Sequence, residues 1–441
     1  MKKCEDLKIS TDKRFIIKSD GTPFFWLADT AWELFHKLDK DEALEYLATR
    51  AAQQYTVIQA VALAEFDGLS VPNAYGRVPL QKNNGGDFDP ALPDVGGGYD
   101  YWSHVDYITD TACSLGLYIG LLPAWGDKFN LLGGAGPVIF TPENAYIYGK
   151  WIGGRYKDRD NIIWILGGDR QAEDDVQMQI VKNMAAGIKE STGGRHLMTY
   201  HPRGAHSSSE QFHGESWLDF NMFQSGHGVA YIKNYEYAQK DYGHSPAKPV
   251  LDGEPRYEDH SINFNPENGY FDEHEVRTAA YHSILSGSCG HTYGHHSIWS
   301  FYTEKNNYNE YFPDSAYFIL SWREALRRPG GAQMKYLREL FMSRDFLELR
   351  PCGELLSRNY GGANYISAAR GKDYAFIYTP NGLDINVNTG ILKWSVTKAG
   401  WFDPRTGAYI YAGSVKNEGT LNFQPPSSGR NCDWVLILDA V

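Results

Sequence analysis

Eight short apolar runs recur between residues 24 and 296, and each is nearly continuous in apolar residues rather than alternating with polar ones. That pattern is typical of parallel strands that are covered on both faces. The predicted strands cover residues 24–32, 55–66, 117–126, 162–169, 196–202, 220–227, 248–255 and 289–296.

Longer amphipathic segments separate these strands and predict helices. In residues 40–54, Ala43, Leu44, Leu47 and Ala51 recur at helical spacing and form one apolar stripe. Eight strand–helix alternations over about 280 residues predict an α/β fold, the (β/α)8 TIM barrel, whose usual length is roughly 250 residues. The alternative is a doubly wound open sheet, but no G-x-G-x-x-G turn follows the first strand. The other predicted helices cover residues 100–115, 143–155, 175–191 and 273–286.

The pattern changes on either side of the predicted barrel. After about Arg328 a predicted helix at 333–342 leads into short alternating strands broken by turn signals, which predicts a small antiparallel β-sandwich. Residues 7–23 predict a β-hairpin that turns at Asp20-Gly21 and serves as a plug or edge for the barrel. The predicted organisation is an N-terminal hairpin (1–23), a catalytic barrel (24–345) and a C-terminal sandwich (346–441).

Charge and composition disfavour several classes of partner. The formal net charge of −12 argues against nucleic acid and anionic membranes. No run of about 18 apolar residues predicts a transmembrane helix, and no apolar segment of a secretory signal follows the N-terminal lysines. The five cysteines form no C-x-x-C pair, which argues against structural zinc and favours free thiols over a bridge between Cys352 and Cys432.

Polar and aromatic side chains stand at the carboxyl ends of the predicted strands, where TIM barrels carry their chemistry. They include carboxylates, imidazoles, an amide and indoles, which can bind the hydroxyl groups and apolar faces of sugars. The residues predicted to contact substrate are Asp29, Trp32, Glu65, Trp125, Asp127, His201, Gln224, Arg256, His291, Tyr293 and His295.

Two carboxylates are the predicted catalytic residues: Asp169 at the end of the fourth strand and Glu254 at the end of the seventh. Such a pair can flank a glycosidic bond, with one group protonating the leaving oxygen while the other attacks the anomeric carbon. Burial would raise the pKa of the acid, and Arg256, Tyr293 or a histidine could donate to the nucleophile. Retention requires carboxyl groups about 5–5.5 Å apart, and inversion roughly 6.5–9.5 Å.

Structural roles remain open alternatives for both carboxylates. Asp169 could serve merely to start a turn or to pair with Arg170, and in that case Glu65 or Asp127 could supply the acid. Glu254 could merely pair with Arg256.

The histidines of the last strand raise the alternative of a metal-dependent hydrolase. No Asp-x-His or His-x-His occurs on the first strand, however, so neither a metal nor a cofactor is predicted.

Four stretches resemble glycoside hydrolase family 140, first described as domain of unknown function 4038: residues 20–35, 162–169, 248–258 and 290–299. The C-terminal segment, with WFDPRTG (401–407) and DWVLIL (433–438), resembles the small sandwich that accompanies this family. The resemblance covers nearly the whole chain. It implies an apiosidase that acts on side chains of the pectin rhamnogalacturonan II and is exported to the periplasm or secreted. It also implies Asp169 as acid/base and Glu254 as nucleophile.

One feature departs from the related clan A hydrolases. Their fourth strand commonly ends in Asn-Glu, whereas this chain has Gly168-Asp169, whose acid is one methylene shorter. Because one scaffold can host many activities, two alternatives stay open. They are another clan A-like glycosidase, similar to an endoglucanase, and a non-catalytic carbohydrate-binding protein.

Overall fold

The structure, a computed structural model, describes residues 4–305 and 318–441. Near the N-terminus, strands β1 (Leu7–Ile9) and β2 (Ile16–Lys18) pair in antiparallel fashion. This hairpin lies at the amino-terminal end of the barrel, where the Tyr118 hydroxyl donates to the Glu5 carbonyl at 2.7 Å. It therefore lies at the end opposite the one where a TIM barrel carries its chemistry.

The N-terminal segment turns twice, once where the sequence predicted and once earlier. The chain reverses between residues 10 and 15, where the Ser10 N–H donates to the Phe15 carbonyl at 2.9 Å and Lys13 adopts a φ of 62°. Asp20 and Gly21 form a second tight turn after β2, closed by the Gly21 N–H to Lys18. The predicted turn therefore exists, and it folds residues 22–24 back onto β2, where the Phe24 N–H donates to the Ile16 carbonyl at 3.0 Å and Ile17 bridges Pro23 in antiparallel fashion.

Eight parallel strands form the barrel, and the prediction of a TIM barrel is confirmed. Six are paired in one curved sheet and two in a neighbouring sheet. Hydrogen bonds between these sheets close the ring: the Asp219 N–H donates to Met198 at 2.8 Å and the Cys289 N–H to Val250 at 2.9 Å. In chain order the strands are β3 (Trp26–Thr30), β4 (Val57–Leu63), β7 (Tyr118–Ala124), β8 (Ile162–Gly167), β9 (Met198–His201), β11 (Asn221–Gln224), β12 (Val250–Asp252) and β13 (Gly290–Tyr293).

Three further strands lie in the loops of the barrel: β5 (Leu80–Lys82) and β6 (Phe88–Pro93) form a hairpin, and β10 (His206–Ser207) pairs with β11. The helices begin at strong sequence signals. Asp39 and Glu42 form a capping box before α2, and Pro142 opens α4. The helices are α1 (Leu34–Lys37), α2 (Lys40–Ala52), α3 (Tyr101–Ser114), α4 (Pro142–Tyr156), α5 (Asp175–Thr192), α6 (Ser209–Phe212), α7 (Asn234–Tyr242), α8 (Glu273–Leu285), α9 (Trp322–Ala325) and α10 (Pro329–Met342).

The C-terminal residues form an antiparallel sheet of six strands faced by a two-stranded sheet, with a separate apolar core between them. The strands are β14 (Arg350–Pro351), β15 (Ser367–Arg370), β16 (Tyr374–Thr379), β17 (Ile385–Asn388), β18 (Val396–Phe402), β19 (Tyr409–Lys416), β20 (Thr420–Phe423) and β21 (Trp434–Ala440). The order of the large sheet is β14-β15-β16-β21-β18-β19, and β17 pairs with β20.

A buried ion pair joins the sandwich to the barrel. Arg277 of α8 donates through Nε and a terminal nitrogen to both oxygens of Asp433, at 3.0 and 2.8 Å. Both side chains are almost completely buried. The Tyr281 and Tyr378 rings stack beside this pair with centroids 4.8 Å apart. The two units therefore share one packed interface.

The D433A variant should lose about 3–5 kcal/mol in free energy of unfolding, because Arg277 would stay buried without its counter-charge. Urea unfolding followed by tryptophan fluorescence measures this loss. The matched control is R358A, which removes an exposed ion pair with Asp384 and should cost at most about 1 kcal/mol. Equal losses in the two variants would contradict a stabilising role for the buried pair.

All five cysteines are free thiols in the structure, so Cys352 and Cys432 are not bridged. Within residues 4–305 and 318–441, no helix combines the length and apolar character needed to cross a bilayer.

Candidate active site

A cavity of about 1270 Å³ opens at the carboxyl ends of the barrel strands. It is larger than the roughly 300–1,000 Å³ pockets that hold drug-sized ligands. Seven of the residues singled out in the sequence line it together: Trp32, Glu65, Trp125, Asp127, Asp169, Gln224 and Glu254.

Asp169 reaches the cavity through an unusual backbone path. Gly167, Gly168 and Asp169 follow one another with φ values of 92°, 97° and 59°. A side chain on Gly167 would collide with the His201 carbonyl, since its Cβ would lie 2.4 Å away. The glycines therefore permit a close approach of β8 to β9, and the left-handed conformation of Asp169 turns its carboxylate inward. Backbone strain of this kind concentrates at functional sites.

Two histidines flank the Glu254 carboxylate. His227 Nε2 forms a hydrogen bond with Oε1 at 3.1 Å, and His201 Nε2 lies 3.1 Å from Oε2. The His201 Nδ1 accepts a hydrogen bond from the Asp169 N–H at 3.2 Å. Because Nδ1 is an acceptor, the ring proton of neutral His201 is on Nε2 and faces Glu254. His201 thus links the backbone of one carboxylate residue to the side chain of the other.

The environments of the two carboxyl groups shift their pKa values in opposite directions. Burial opposes ionisation of Glu254, but His201 and His227 outweigh it and lower the pKa to about 2. Burial raises the pKa of Asp169, and the negative charge of Glu254 raises it further. Arg170 lies 3.1 Å from Asp169 Oδ2 and opposes this shift without reversing it. Such divergence is typical of an acid paired with an ionised carboxylate.

Asp127, the possible alternative acid, is held in a structural role. Its carboxylate lies 3.0 Å from Lys128 Nζ and accepts the Gly136 N–H at 2.9 Å. These contacts tie the end of β7 to the following loop, of which Gly134 and Ala135 line the cavity. Asp127 therefore shapes the cavity wall, where its carboxylate is paired with a buried lysine.

Aromatic rings form much of the cavity wall. The Trp32 and Trp125 rings lie with their centroids 5.3 Å apart, and the Trp32 and His201 rings meet edge to face with centroids 5.4 Å apart. The sequence prediction did not include a further group of lining residues, which come from loops beyond the strand ends: Phe66, Tyr257, His260, Phe264 and Trp299. The DGEPRYEDH segment (252–260) directly after β12 was the available signal for Tyr257 and His260.

The structure corrects two predicted substrate contacts that point away from the cavity. Asp29 is buried against α2, where Arg50 Nε and the Tyr46 hydroxyl each donate to it at 2.6 Å. The Tyr293 hydroxyl donates to Glu258 at 2.6 Å in the same outer layer. Successive side chains of a strand point to opposite faces, and these two face the helices.

Three more predicted substrate contacts are corrected, because their side chains are buried and lie outside the cavity lining. Arg256 donates to the Ile232 carbonyl at 3.3 Å, and His295 contacts Asp259 at 3.1 Å. His291 is completely buried in β13. None of the three lines the cavity. Arg256 and Tyr293 are thus not the donors to Glu254. Among the residues that the structure describes, no group of three possible metal ligands is found.

Comparison with protein families assigns the barrel. Residues 10–348 match the family described as "Apiosidase-like, catalytic domain". The chain belongs to this family. Residues 353–439, which form the sandwich, match the "Putative collagen-binding domain of a collagenase".

Solved structures similar to this apiosidase-like protein are glycoside hydrolases. One, described as "Glycoside hydrolase", is 34% identical with a TM-score of 0.88, and the match covers 99% of this chain and 97% of that one. Another, a glycoside hydrolase family 5 protein from Bacteroides vulgatus ATCC 8482, is 32% identical with a TM-score of 0.89, covering 99% and 93%. No curated protein matches the chain.

These similarities identify the apiosidase-like protein as a glycoside hydrolase, which confirms the predicted enzyme class. They also confirm the predicted resemblance to the apiosidase family and its accompanying sandwich domain. Membership of glycoside hydrolase family 140 stays a prediction, because the similar structure from Bacteroides vulgatus is described as a member of glycoside hydrolase family 5.

Proposed function

We propose that this glycoside hydrolase cleaves the glycosidic bond of apiose in side chains of rhamnogalacturonan II, with retention of configuration. Asp169 is the acid/base and Glu254 the nucleophile. The observation that carries this proposal is the pair of carboxyl groups lining one cavity, one with a raised pKa and one with a lowered pKa. A retaining glycosidase needs this division of protonation states.

In the first step, Asp169 gives its proton to the glycosidic oxygen while a Glu254 oxygen bonds to the anomeric carbon. The bond between that carbon and the leaving oxygen breaks, and a covalent glycosyl ester remains on Glu254. In the second step, the Asp169 carboxylate takes a proton from water as the water oxygen attacks the anomeric carbon. The ester bond then breaks, which restores the Glu254 carboxylate and the protonated Asp169.

The cavity suits an extended and acidic sugar chain. Its volume exceeds that of a pocket for one drug-sized ligand, and the faces of its tryptophan rings can stack on sugar rings. Arg203 lines the cavity, and its guanidinium forms no hydrogen bond or ion pair with another described side chain. We propose that it binds a uronate carboxylate of the pectin backbone, despite the net charge of −12. An extracellular polymer as substrate favours a periplasmic or secreted enzyme.

A substrate panel tests the proposed activity. The enzyme is incubated with apiose-bearing rhamnogalacturonan II oligosaccharides, homogalacturonan, β-glucan and β-mannan, and the products are analysed by mass spectrometry. We expect release of apiose-terminated side chains from the first substrate alone, with the E254Q variant as the inactive control. Cleavage of β-glucan or β-mannan without cleavage of the pectin would overturn the apiosidase proposal in favour of an endoglucanase-like enzyme.

A further inference from the structure

We propose that Glu65 is a third functional carboxyl group of the cavity and binds a sugar oxygen of the substrate as a hydrogen-bond donor. This inference rests on the proposed function, since it takes Asp169 and Glu254 as the reacting pair. It assigns Glu65 a role in holding the substrate rather than in transferring a proton.

The placement of Glu65 is the first argument. It follows β4 by two residues and lines the cavity together with Asp169 and Glu254. Its side chain forms no hydrogen bond or ion pair with the described residues, whereas Asp169 contacts Arg170 and Glu254 contacts two histidines. A carboxyl group at the wall of a substrate cavity without protein partners is available to a ligand.

The charges around Glu65 are the second argument. Four carboxylates face it from neighbouring strand ends: Glu33 after β3, Asp127 after β7, Asp169 after β8 and Glu254 after β12. Burial raises the pKa of Glu65 well above its usual value, and the negative charges of Glu33, Asp127 and Glu254 raise it further, as Asp169 does whenever it is ionised. Negative charges near one another oppose ionisation, and Glu65 is the member of this group without a counter-charge, so its ionisation is the least favoured.

The nearby cations are already engaged and do not offset this effect. Lys128 lies 3.0 Å from Asp127, and Arg170 lies 3.1 Å from Asp169. His36 contacts Glu33 at 2.8 Å. Each of these three groups thus serves another carboxylate. Glu65 therefore presents an O–H donor and a carbonyl acceptor to the cavity, a combination that matches a sugar hydroxyl or a uronate oxygen.

Three variants separate a neutral donor from an ionised group. The E65Q variant keeps the shape and an N–H donor, so kcat/KM should stay within about threefold of the wild type. The E65A variant loses the donor and should lose about 10- to 100-fold in kcat/KM. The control is E173Q, which alters an exposed carboxylate outside the cavity and should leave activity unchanged.

Two kinetic outcomes would overturn the inference. Wild-type activity of E65A would show that Glu65 does not contact substrate, and equal loss in E65Q and E65A would show that an ionisable oxygen is required. D169N and E254Q are measured in parallel on the same rhamnogalacturonan II oligosaccharide. If they remain active, the proposed function fails; if they are inactive while E65A is normal, only the role of Glu65 fails.

A measurement without substrate tests the protonation state directly. Infrared difference spectra of the wild type against E65Q at neutral pH should show the carbonyl band of a protonated carboxylic acid, present in the wild type alone. Two carboxylate bands in its place would overturn the inference, whichever sugar the enzyme cleaves.

Discussion

The E254Q variant should lose activity by a factor on the order of 10⁴ or more while remaining folded. Glutamine has the shape of glutamate but cannot form the glycosyl ester. The geometry around position 254 favours a specific loss, because His201 and His227 contact the two carboxylate oxygens and their imidazoles can still contact an amide. The measurement is kcat/KM on the pectin oligosaccharide that the wild type cleaves.

Folding and binding controls separate loss of chemistry from loss of structure. E254Q should unfold at a temperature close to that of the wild type and should bind the intact oligosaccharide in a calorimetric titration. Activity within tenfold of the wild type would exclude Glu254 as the nucleophile. The carboxylate would then have to come from another cavity residue, with Glu65 as the remaining partner of Asp169.

The sequence pattern predicted the barrel closely, because burial on both faces leaves a strong signal. Each of the eight predicted apolar runs contains one barrel strand, from Trp26–Thr30 to Gly290–Tyr293. The strand ends also place the proposed catalytic pair, Asp169 and Glu254, in one cavity, since all parallel strands of a barrel end on the same side. The earlier turn of the N-terminal segment, between residues 10 and 15, was missed because Asp20-Gly21 is the stronger turn signal.

The errors in the site come from the direction of single side chains. Asp29 and Tyr293 lie in strands, where a shift of one position moves a side chain from the cavity to the helices. In a strand whose other positions are nearly all apolar, the pattern does not show whether a polar side chain faces the cavity or the helices. Arg50 explains the direction of Asp29. A buried arginine in α2 needs a counter-charge on the outer face of the barrel, and Asp29 provides it.

The loop residues were missed for a different reason. His260 and Phe264 follow β12 by eight and twelve residues, in a segment whose path depends on single residues in left-handed conformations. Asn263 and Phe264 have φ values of 55° and 57°, which no hydrophobic periodicity encodes. Loop geometry of this kind is set by tertiary contacts such as the Asn263 N–H to the His227 carbonyl.

The D169N variant should lose about 10²- to 10⁴-fold in kcat/KM on the natural substrate, since it removes general acid catalysis. Asparagine is the suitable replacement because, like aspartate, it tolerates the left-handed backbone that position 169 requires. The loss should shrink on an aryl apioside with a nitrophenol leaving group, which departs without a proton. E173Q, an exposed carboxylate four residues further along and outside the cavity, is the control that should behave as the wild type.

A second variant at position 169 distinguishes retention from inversion, because it tests whether a covalent intermediate forms. Glycine at position 169 also accepts the φ of 59° and leaves space beside the anomeric carbon, so azide should restore turnover of the aryl apioside by D169G. A glycosyl azide with the configuration of the substrate would mean that azide attacked a covalent ester on Glu254, with carboxyl groups about 5–5.5 Å apart. Formation of the opposite anomer would require a single displacement, with Glu254 activating water instead of bonding to the sugar.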